Sequence, residues 1–322
     1  MASIRFVYWN TDKKSDTQEE VLENLFARDA RPDVILLGEC EVGLTPDFLQ
    51  KHGYEAMPYS PMEREKPTQR MYTRQQANLR LTHLTTHEDY EDDPISGVDP
   101  PHRFLQDEPD FVTRVALMQL EVAGECTLLA SVHLPSRRMG AHDESSLSDV
   151  ASYYKNFIIR GQQFGDFKER IIIVGDFNMN PFDLGMLQHK SFHAINSRAF
   201  VRPTRDSSFV PEWMFYNPCW ALLSDINPLQ PDAPRLPGSI YFASAPSKRL
   251  YWHLYDQVRL SHALMHRLDV ASLRIAPYDP LRLEGERGGT TVKTAGEPSR
   301  KERRYSLHLP LCFTIQLGTH VV

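Results

Sequence analysis

Four consecutive β-branched residues, Ile171–Val174, run directly into Gly175-Asp176-Phe177-Asn178. Such a run predicts a strand that is buried on both faces, and the residues after it predict a sharp break. Because open α/β sheets bind ligands just beyond the carboxyl ends of their strands, Asp176 and Asn178 are candidate functional residues. Asp176 can accept a proton or bind a cation, and Asn178 can both donate and accept hydrogen bonds. Taken alone, an Asp-x-Asn pair is more often a turn that closes a strand.

Composition places the chain among ordinary soluble globular proteins, with 322 residues of which 41% are hydrophobic and 24% charged. A net charge of -6 argues against broad, non-specific binding to nucleic acid, although it permits a local basic groove or a phosphate held through metal ions. The four cysteines form no C-x-x-C pair, which is typical of reduced thiols. With no signal-peptide pattern and no apolar run long enough to span a membrane, we expect a cytoplasmic protein.

Strands and helices alternate along both halves of the sequence, which indicates an α/β fold. Helices are predicted after the capping pair Asp16-x-x-Glu19 and over residues 145–161. Strands are predicted at residues 4–9, 34–37, 115–122, 127–132, 171–174, 252–260, 273–276 and 307–317. The strands at 115–122 and 127–132 form a hairpin about Gly124-Glu125, and strict alternation indicates that 307–317 is half-buried or includes a preceding loop. No linker or repeat divides the chain, so a single domain over 1–322 is expected.

Three regions are less regular than the rest of the chain. A basic stretch from Arg64 to Arg80 is either a substrate-facing loop or helix or, more commonly for such charges, a solvated surface. Residues from about 200 to 250 carry eight of the 23 prolines together with several large aromatic side chains, which predicts an ordered excursion. Residues from about 284 to 304 are rich in glycine, threonine and charge, which predicts a mobile loop.

Polar residues occur at the ends of several predicted strands. They are Asn10, Asp12, Glu39, His133, Asp176, Asn178, Asp256 and His308. Oxygen ligands such as Glu39 and Asp12 favour magnesium or manganese over zinc. A histidine paired with a carboxylate supplies a fixed positive charge, and a second carboxylate can deprotonate water. These are the components of metal-assisted attack of water on a phosphoester.

The ordered set of motifs resembles the endonuclease/exonuclease/phosphatase superfamily, the DNase I-like metal-dependent phosphoesterases. Gly-Asp-Phe-Asn after a buried strand is fairly specific, whereas the other motifs are weak singly and strong as an ordered set that spans nearly the whole chain. The matching motifs are Trp9-Asn10-Thr11-Asp12, Leu36-Leu37-Gly38-Glu39, Thr113-Arg114, Val132-His133-Leu134, Gly175-Asp176-Phe177-Asn178, Tyr255-Asp256-Gln257-Val258 and Ser306-Leu307-His308-Leu309-Pro310.

The resemblance implies a four-layer α/β/β/α sandwich with two mixed β-sheets flanked by helices and the site at one end. It also implies that Glu39 is the principal ligand of Mg²⁺, for which Mn²⁺ can substitute. Asn10 and Asp12 would lie close to the metal and to its bound phosphate oxygen, and Arg114 would contribute to substrate binding.

The catalytic roles also follow from the resemblance. Asp176 would position and activate the attacking water, with Asn178 hydrogen-bonding beside it. His133 would contact the scissile phosphate. His308, oriented by Asp256, would stabilise the charged transition state.

One motif departs from the family, because Leu307 stands where the family usually has aspartate between serine and histidine. The implied consequence is a slower enzyme, an enzyme with one metal, or a module that binds without cleaving. A nearby acid such as Glu302 could take the place of the missing aspartate. We therefore expect a magnesium-dependent nuclease acting on DNA or RNA. The alternatives are a phosphatase or phosphodiesterase for a small molecule, lipid headgroup or nucleotide, and a non-catalytic module. No protein partner is indicated.

Overall fold

The computed structural model describes residues 1–14, 17–57, 69–75, 77–84, 114–136, 144–203, 213–225, 236–241, 252–276 and 306–318. The strands in this part of the chain are β1 Ala2–Asn10, β2 Val34–Gly38, β3 Tyr54–Ala56, β4 Gln69–Arg74, β5 Leu79–His83, β6 Val115–Val122, β7 Glu125–His133, β8 Ile171–Asp176, β9 Ala194–Ile195, β10 Phe215–Tyr216, β11 Ile240–Tyr241, β12 Trp252–His253, β13 Asp256–Ser261, β14 Leu268–Ile275 and β15 Leu311–Leu317. The α-helices are α1 Gln18–Arg28, α2 Pro46–His52, α3 Glu144–Arg160 and α4 Leu184–Leu187, and 3₁₀ turns cover Gly161–Phe164 and Pro218–Leu223.

Two mixed sheets contain most of the strands. The first has the order β14-β15-β1-β2-β4-β3, and the second has the order β5-β6-β7-β8-β13-β10-β9. A small two-stranded sheet pairs β11 with β12. The pairs β1/β2, β7/β8 and β9/β10 are parallel, and the other pairs are antiparallel.

The two large sheets pack face to face through a shared hydrophobic core. Phe6 and Leu36 of the first sheet belong to the same buried cluster as Leu129 and Ile172 of the second. Side chains alternate between the two faces of a strand, so the neighbours of these residues point away from this core.

Helices cover the outer faces. Ile171 and Ile173 of β8 pack with Val150 of α3, whereas Val7 of β1 packs with Leu25 of α1. Both faces of β8 are therefore covered, which explains its unbroken β-branched run. The predicted four-layer α/β/β/α sandwich with two mixed sheets is confirmed.

Two of the three parallel pairs, β1/β2 and β7/β8, bring polar residues to one end of the sandwich. Asn10 lies opposite Gly38 at the ends of β1 and β2, and His133 lies opposite Asp176 at the ends of β7 and β8. Helices α1 and α3 provide the crossovers between these parallel strands, which makes the carboxyl ends of each pair adjacent.

The predicted strand at 252–260 is wrong in one respect, because the structure divides it into β12 and β13. At the break, the backbone N–H of Leu254 donates to Asn180 Oδ1 at 3.0 Å. The N–H groups of Tyr255 and Asp256 both donate to Ser239 Oγ, at 3.2 and 3.1 Å. These side chains replace the strand partners there and begin β13 at Asp256.

Three other boundaries differ from the predictions. Strand β15 begins only at Leu311, because the His308 N–H donates to Ser306 Oγ and proline at 310 has no N–H. Its outward residue Cys312 is buried against α1, so the strand is covered on both faces. Strand β14 begins at Leu268, earlier than predicted. The β6–β7 hairpin turns at Ala123-Gly124, where both residues have positive φ.

The basic stretch is only partly described, since Arg64 and Lys66 lie outside the described residues. Arg70 and Arg74 lie on β4, an element that the sequence patterns did not predict. Arg70 Nη2 donates to the Glu41 carbonyl at 2.8 Å, and Arg74 pairs with Asp33. These two cations therefore stabilise neighbouring loops and strands of the first sheet.

The remaining irregular regions are also partly described. Trp213 and Phe215 of the proline-rich excursion are buried in the cluster that faces α3, so they serve packing. The residues 284–304, the cap residue Asp16 and Glu302 lie outside the described residues. Glu19, the other member of the predicted capping pair, accepts a hydrogen bond from the Thr45 N–H at 2.7 Å. In the part of the chain that the structure describes, no helix has the length and apolar character needed to cross a bilayer.

Candidate active site

Asn10 links two acidic residues that come from different sheets. Its Nδ2 donates to Asp176 Oδ2 at 2.9 Å and lies 3.2 Å from Glu39 Oε1. Its Oδ1 accepts the N–H of Asp12 at 2.9 Å, so the amide oxygen is already engaged. The structure thus brings Asn10, Glu39 and Asp176 together, with the amide nitrogen facing both carboxylates.

Asp176 ends β8 and is almost completely buried. Its Oδ1 accepts the Asn178 N–H at 2.8 Å, which closes a tight Asx turn at a residue with φ of 50°. The Asn178 side chain donates to the Leu134 carbonyl at 2.7 Å, which ties this turn to the end of β7. Burial raises the pKa of Asp176, and the nearby His308 imidazolium opposes that rise.

Gly175 makes the close approach of β7 and β8 possible. It has a φ of 155°, and a Cβ at this position would lie 1.9 Å from the Val132 carbonyl oxygen. Only glycine fits this backbone without displacement of β7. Because Gly175 pairs with Val132, the same contact places His133 opposite Asp176.

His308 and Asp256 form a buried dyad. His308 Nδ1 lies 2.8 Å from Asp256 Oδ2, and His308 Nε2 lies 3.9 Å from Asp176 Oδ2. The loop that carries His308 is fixed from two sides: Trp9 Nε1 donates to its carbonyl at 2.9 Å, and Ser306 Oγ accepts its N–H at 3.0 Å. The imidazole is therefore held between two carboxylates.

His133 lies on the opposite side of Asp176 from this dyad. Its Nε2 is 3.3 Å from Glu39 Oε1, and its side chain is 15% exposed. Arg114 contacts the main chain behind it, with Nη1 3.5 Å from the His133 carbonyl oxygen. Arg114 is buried, and its own carbonyl accepts Gln69 Nε2 at 2.9 Å.

The two histidines have opposite charge preferences. Burial disfavours the charged form of His308, but the carboxylates of Asp256, Asp176 and Glu39 outweigh it and raise its pKa to about 10. For His133, burial outweighs the attraction of Asp176 and Glu39 and lowers its pKa. Near neutral pH the site therefore contains one imidazolium, His308, and one neutral imidazole, His133. The imidazolium can stabilise negative charge, whereas the neutral imidazole can act as a ligand or hydrogen-bond partner.

The acidic and histidine side chains fit a divalent cation. Glu39, His133 and Asp176 form one group whose ligand atoms lie within 4.8 Å of one another, and Asp176, Asp256 and His308 form a second. The first group opens to solvent through Glu39. Its two carboxylates suit Mg²⁺ and Mn²⁺, whereas its imidazole is a ligand more typical of zinc, copper, iron and nickel. Among the described residues, Asp12 joins neither group.

Sequence reasoning did not identify two residues that hold the site. Tyr8 is fully buried, and its hydroxyl accepts the Asp176 N–H at 3.0 Å. A signal was present, because Tyr8 and Asn10 are two residues apart on β1 and face the same side. Ser239 fixes the start of β13 through its hydroxyl, and its isolated position in a proline-rich stretch gave no sequence signal.

Only the comparison with solved structures finds proteins similar to this chain. No family model and no curated protein matches the chain. D. rerio TDP2 complexed with a single-strand DNA product aligns with a TM-score of 0.51 and 12% identity, covering 98% of this chain and 100% of that one. TDP2 from C. elegans aligns with a TM-score of 0.50 and 12% identity, covering 98% of this chain and 75% of that one. The chain therefore has the same fold as these two structures, a DNase I-like α/β/β/α sandwich.

Proposed function

We propose that this protein is a divalent-metal-dependent phosphodiesterase, and specifically a nuclease. One observation carries the proposal: a buried carboxylate, Asp176, lies 3.9 Å from the imidazole of His308, whose other nitrogen is held by Asp256. A base beside a fixed cation is the arrangement that hydrolysis of an anionic ester requires.

Asp176 is the proposed base. Its Oδ1 accepts the Asn178 N–H and its Oδ2 accepts Asn10 Nδ2, so the carboxylate is fixed while lone pairs remain for a water molecule. Burial raises its pKa, which makes the carboxylate a better proton acceptor. Asp176 thus orients water and takes its proton as the water oxygen bonds to phosphorus. The bond between phosphorus and the leaving ester oxygen breaks, and that oxygen takes up a proton from solvent.

His308 is the proposed stabiliser of negative charge. Asp256 holds Nδ1, which leaves the Nε2–H of the imidazolium directed to the Asp176 side of the site. As negative charge develops on the phosphoryl oxygens, a donor that is already charged and already oriented needs no reorganisation. Asp256 keeps the ring in place through this contact at 2.8 Å.

Glu39 is the proposed principal metal ligand, and a bound Mg²⁺ or Mn²⁺ would supply Lewis-acid stabilisation of the phosphate. His133 Nε2 lies 3.3 Å from Glu39 Oε1. The neutral imidazole can therefore contact an oxygen of a phosphate that is bound beside Glu39. Asn10 donates to both Glu39 and Asp176, so we assign it the role of keeping these two carboxylates in position.

A nucleic acid is the proposed substrate. D. rerio TDP2, which has the same fold, was solved with a single-strand DNA product. The net charge of -6 and the internal pairing of Arg74 favour the alternative of a small phosphoester, because both reduce the cationic surface available to a polymer.

Hydrolysis tests these alternatives directly. Single- and double-stranded DNA, RNA and a generic phosphodiester are each incubated with magnesium, manganese or chelator. We expect metal-dependent cleavage of at least one polymer, with binding that weakens as salt increases because phosphate contacts release counterions. Cleavage of only the small ester would favour the small-molecule alternative.

Binding without cleavage would favour the third alternative, a non-catalytic module. Leu307, half-buried beside His308, would then be the reason, because it replaces the carboxylate that the resemblance implies. In that case Leu307→Asp should restore metal-dependent turnover. Failure of Leu307→Asp to cleave any substrate in the panel would remove Leu307 as the explanation.

Metal binding provides a test that does not depend on turnover. Glu39→Gln is expected to weaken Mn²⁺ binding, measured by calorimetry, by at least about tenfold, since even changes behind a ligand cost that much. Glu41→Gln is the matched control, because Glu41 lies two residues away and pairs with Lys13 on the surface at 3.4 Å. Equal Mn²⁺ affinity in the two variants would contradict the assignment of Glu39.

A further inference from the structure

The Gln69 side chain connects the two sheets close to the contact between Glu39 and His133. Gln69 is buried at the start of β4, where it pairs with Gly38, the residue before Glu39. Its Oε1 accepts a hydrogen bond from the hydroxyl of Ser131, which lies on β7 in the other sheet. The amide therefore links the end of the first sheet that leads into Glu39 to the strand that ends at His133.

Ser131 and His133 lie on the same face of β7. They are two residues apart on one strand, and side chains alternate between the faces of a strand, so both point towards the first sheet. The two contacts across the interface are thus consecutive: Ser131 bonds to Gln69, and His133 Nε2 lies 3.3 Å from Glu39 Oε1. A displacement of β7 at Ser131 would therefore change the distance from His133 to Glu39.

The other end of the same amide binds the main chain at Arg114. Gln69 Nε2 donates to the Arg114 carbonyl at 2.9 Å, at the residue immediately before β6. Arg114 Nη1 in turn lies 3.5 Å from the His133 carbonyl oxygen. One glutamine side chain thus holds two segments that adjoin His133, the strand at Ser131 and the main chain at Arg114.

This polar pair lies in an otherwise apolar interface. Met71 follows Gln69 by two residues and Leu129 precedes Ser131 by two, and both belong to the hydrophobic core between the sheets. Apolar side chains at the two positions could pack there without any need for hydrogen bonds. A buried polar contact whose members are bonded instead favours one defined alignment of the groups around it.

We propose that Gln69 is a positioning residue that sets the separation of Glu39 and His133 by holding β7 and Arg114 against the end of the first sheet. Glu39 and His133 come from different sheets, so their separation depends on how the sheets are aligned. The inference rests on the proposed function only for its consequences in metal binding and hydrolysis; the separation itself can be measured without either.

Ser131→Ala removes the bond to Gln69 with the smallest change in shape. Nuclear Overhauser effects (NOEs) between the His133 ring and the Glu39 side chain report their contact and need neither metal nor substrate. We expect these NOEs to weaken in Ser131→Ala, because β7 is no longer held at this point. Mn²⁺ affinity, measured by calorimetry, should fall about tenfold, the low end of the range for residues that support a metal ligand.

Ser148→Ala is the matched control. Ser148 is also buried, and its hydroxyl also donates to a glutamine Oε1, that of Gln188, in the helical layer outside the second sheet. Both variants lose one hydrogen bond between a hydroxyl and an amide, so similar decreases of Tm are expected. Only Ser131→Ala should change Mn²⁺ affinity and the NOEs between His133 and Glu39.

Gln69→Met tests the same inference by removing both hydrogen bonds while keeping a side chain of similar length. Its effects should be at least as large as those of Ser131→Ala, and the double variant should be no worse than Gln69→Met, because the two residues share one bond. Unchanged NOEs in both variants, or an equal change in Ser148→Ala, would overturn the proposal. A wild-type protein that neither binds Mn²⁺ nor hydrolyses any substrate would instead contradict the proposed function, and the NOEs would still decide the role of Gln69.

Discussion

Asp176→Asn is expected to lower kcat for phosphodiester hydrolysis by about 10²- to 10⁴-fold, the range that a positioned general base contributes. The amide keeps the shape of the side chain, and its oxygen can still accept the Asn178 N–H. It cannot take a proton from water, and its NH₂ group would oppose the Asn10 NH₂ that now donates to Oδ2. The measurement is kcat with saturating metal, on the substrate that the wild-type protein cleaves best.

Asp183→Asn is the control for this experiment. Asp183 is also buried, and its Oδ2 accepts a backbone N–H, that of Asn180, at 2.8 Å. It belongs to neither of the two groups of potential metal ligands among the described residues. We expect its kcat to stay near the wild-type value; a loss as large as that of Asp176→Asn would indicate general disruption of the loop after β8 and not loss of a base.

His308→Gln is expected to lower kcat by about 10²- to 10³-fold, the cost of removing one donor that stabilises developing negative charge.

Asp256→Asn should have a smaller effect at neutral pH and a distinct signature at high pH. The Asp256 carboxylate is the largest influence that raises the pKa of His308, so its removal lets the imidazolium lose its proton at lower pH. The alkaline limb of the rate–pH profile should therefore move to lower pH in Asp256→Asn.

The positive charge of His308 also makes folding stability dependent on pH. Because the pKa of His308 rises from 6.5 to about 10 on folding, its stabilising contribution is complete below pH 6.5 and is lost as pH approaches 10. Urea unfolding of the wild-type protein in chelator should show this decline, and His308→Gln should lack it. His52→Gln is a suitable comparison, since His52 is also buried and lies 3.3 Å from Glu23, away from the site. A decline that persists in His308→Gln would assign it to another group.

The sequence predicted the end of the sandwich at which the polar residues meet, because that placement depends on local patterns. Asn10, Glu39, His133 and Asp176 each end or follow a hydrophobic run, and parallel pairing brings such ends together. The four-layer arrangement came from the resemblance, since alternating strands and helices are compatible with several α/β folds.

The detailed contacts could not be predicted, because they depend on residues far apart in sequence. Asp256 becomes the first residue of a strand because Asn180 and Ser239 bind the backbone before it. Asn10 was predicted to contact the metal and the substrate. In the structure its amide oxygen faces the Asp12 N–H, so its amide nitrogen faces the carboxylates of Glu39 and Asp176. This orientation depends on residues from three parts of the chain. The roles of the individual site residues stay predictions until the variants above are measured.

Gly175 has a consequence for the tolerance of this protein to mutation. Every other amino acid would place an atom against the Val132 carbonyl and push β7 away from β8. His133 would then separate from Asp176, although the side chains of both residues would be unaltered. In a population of variants, position 175 should thus be as invariant as the acids themselves. Such invariance would reflect the spacing between β7 and β8. Gly175 has no side chain and takes no part in the chemistry, yet its invariance could be mistaken for a catalytic role.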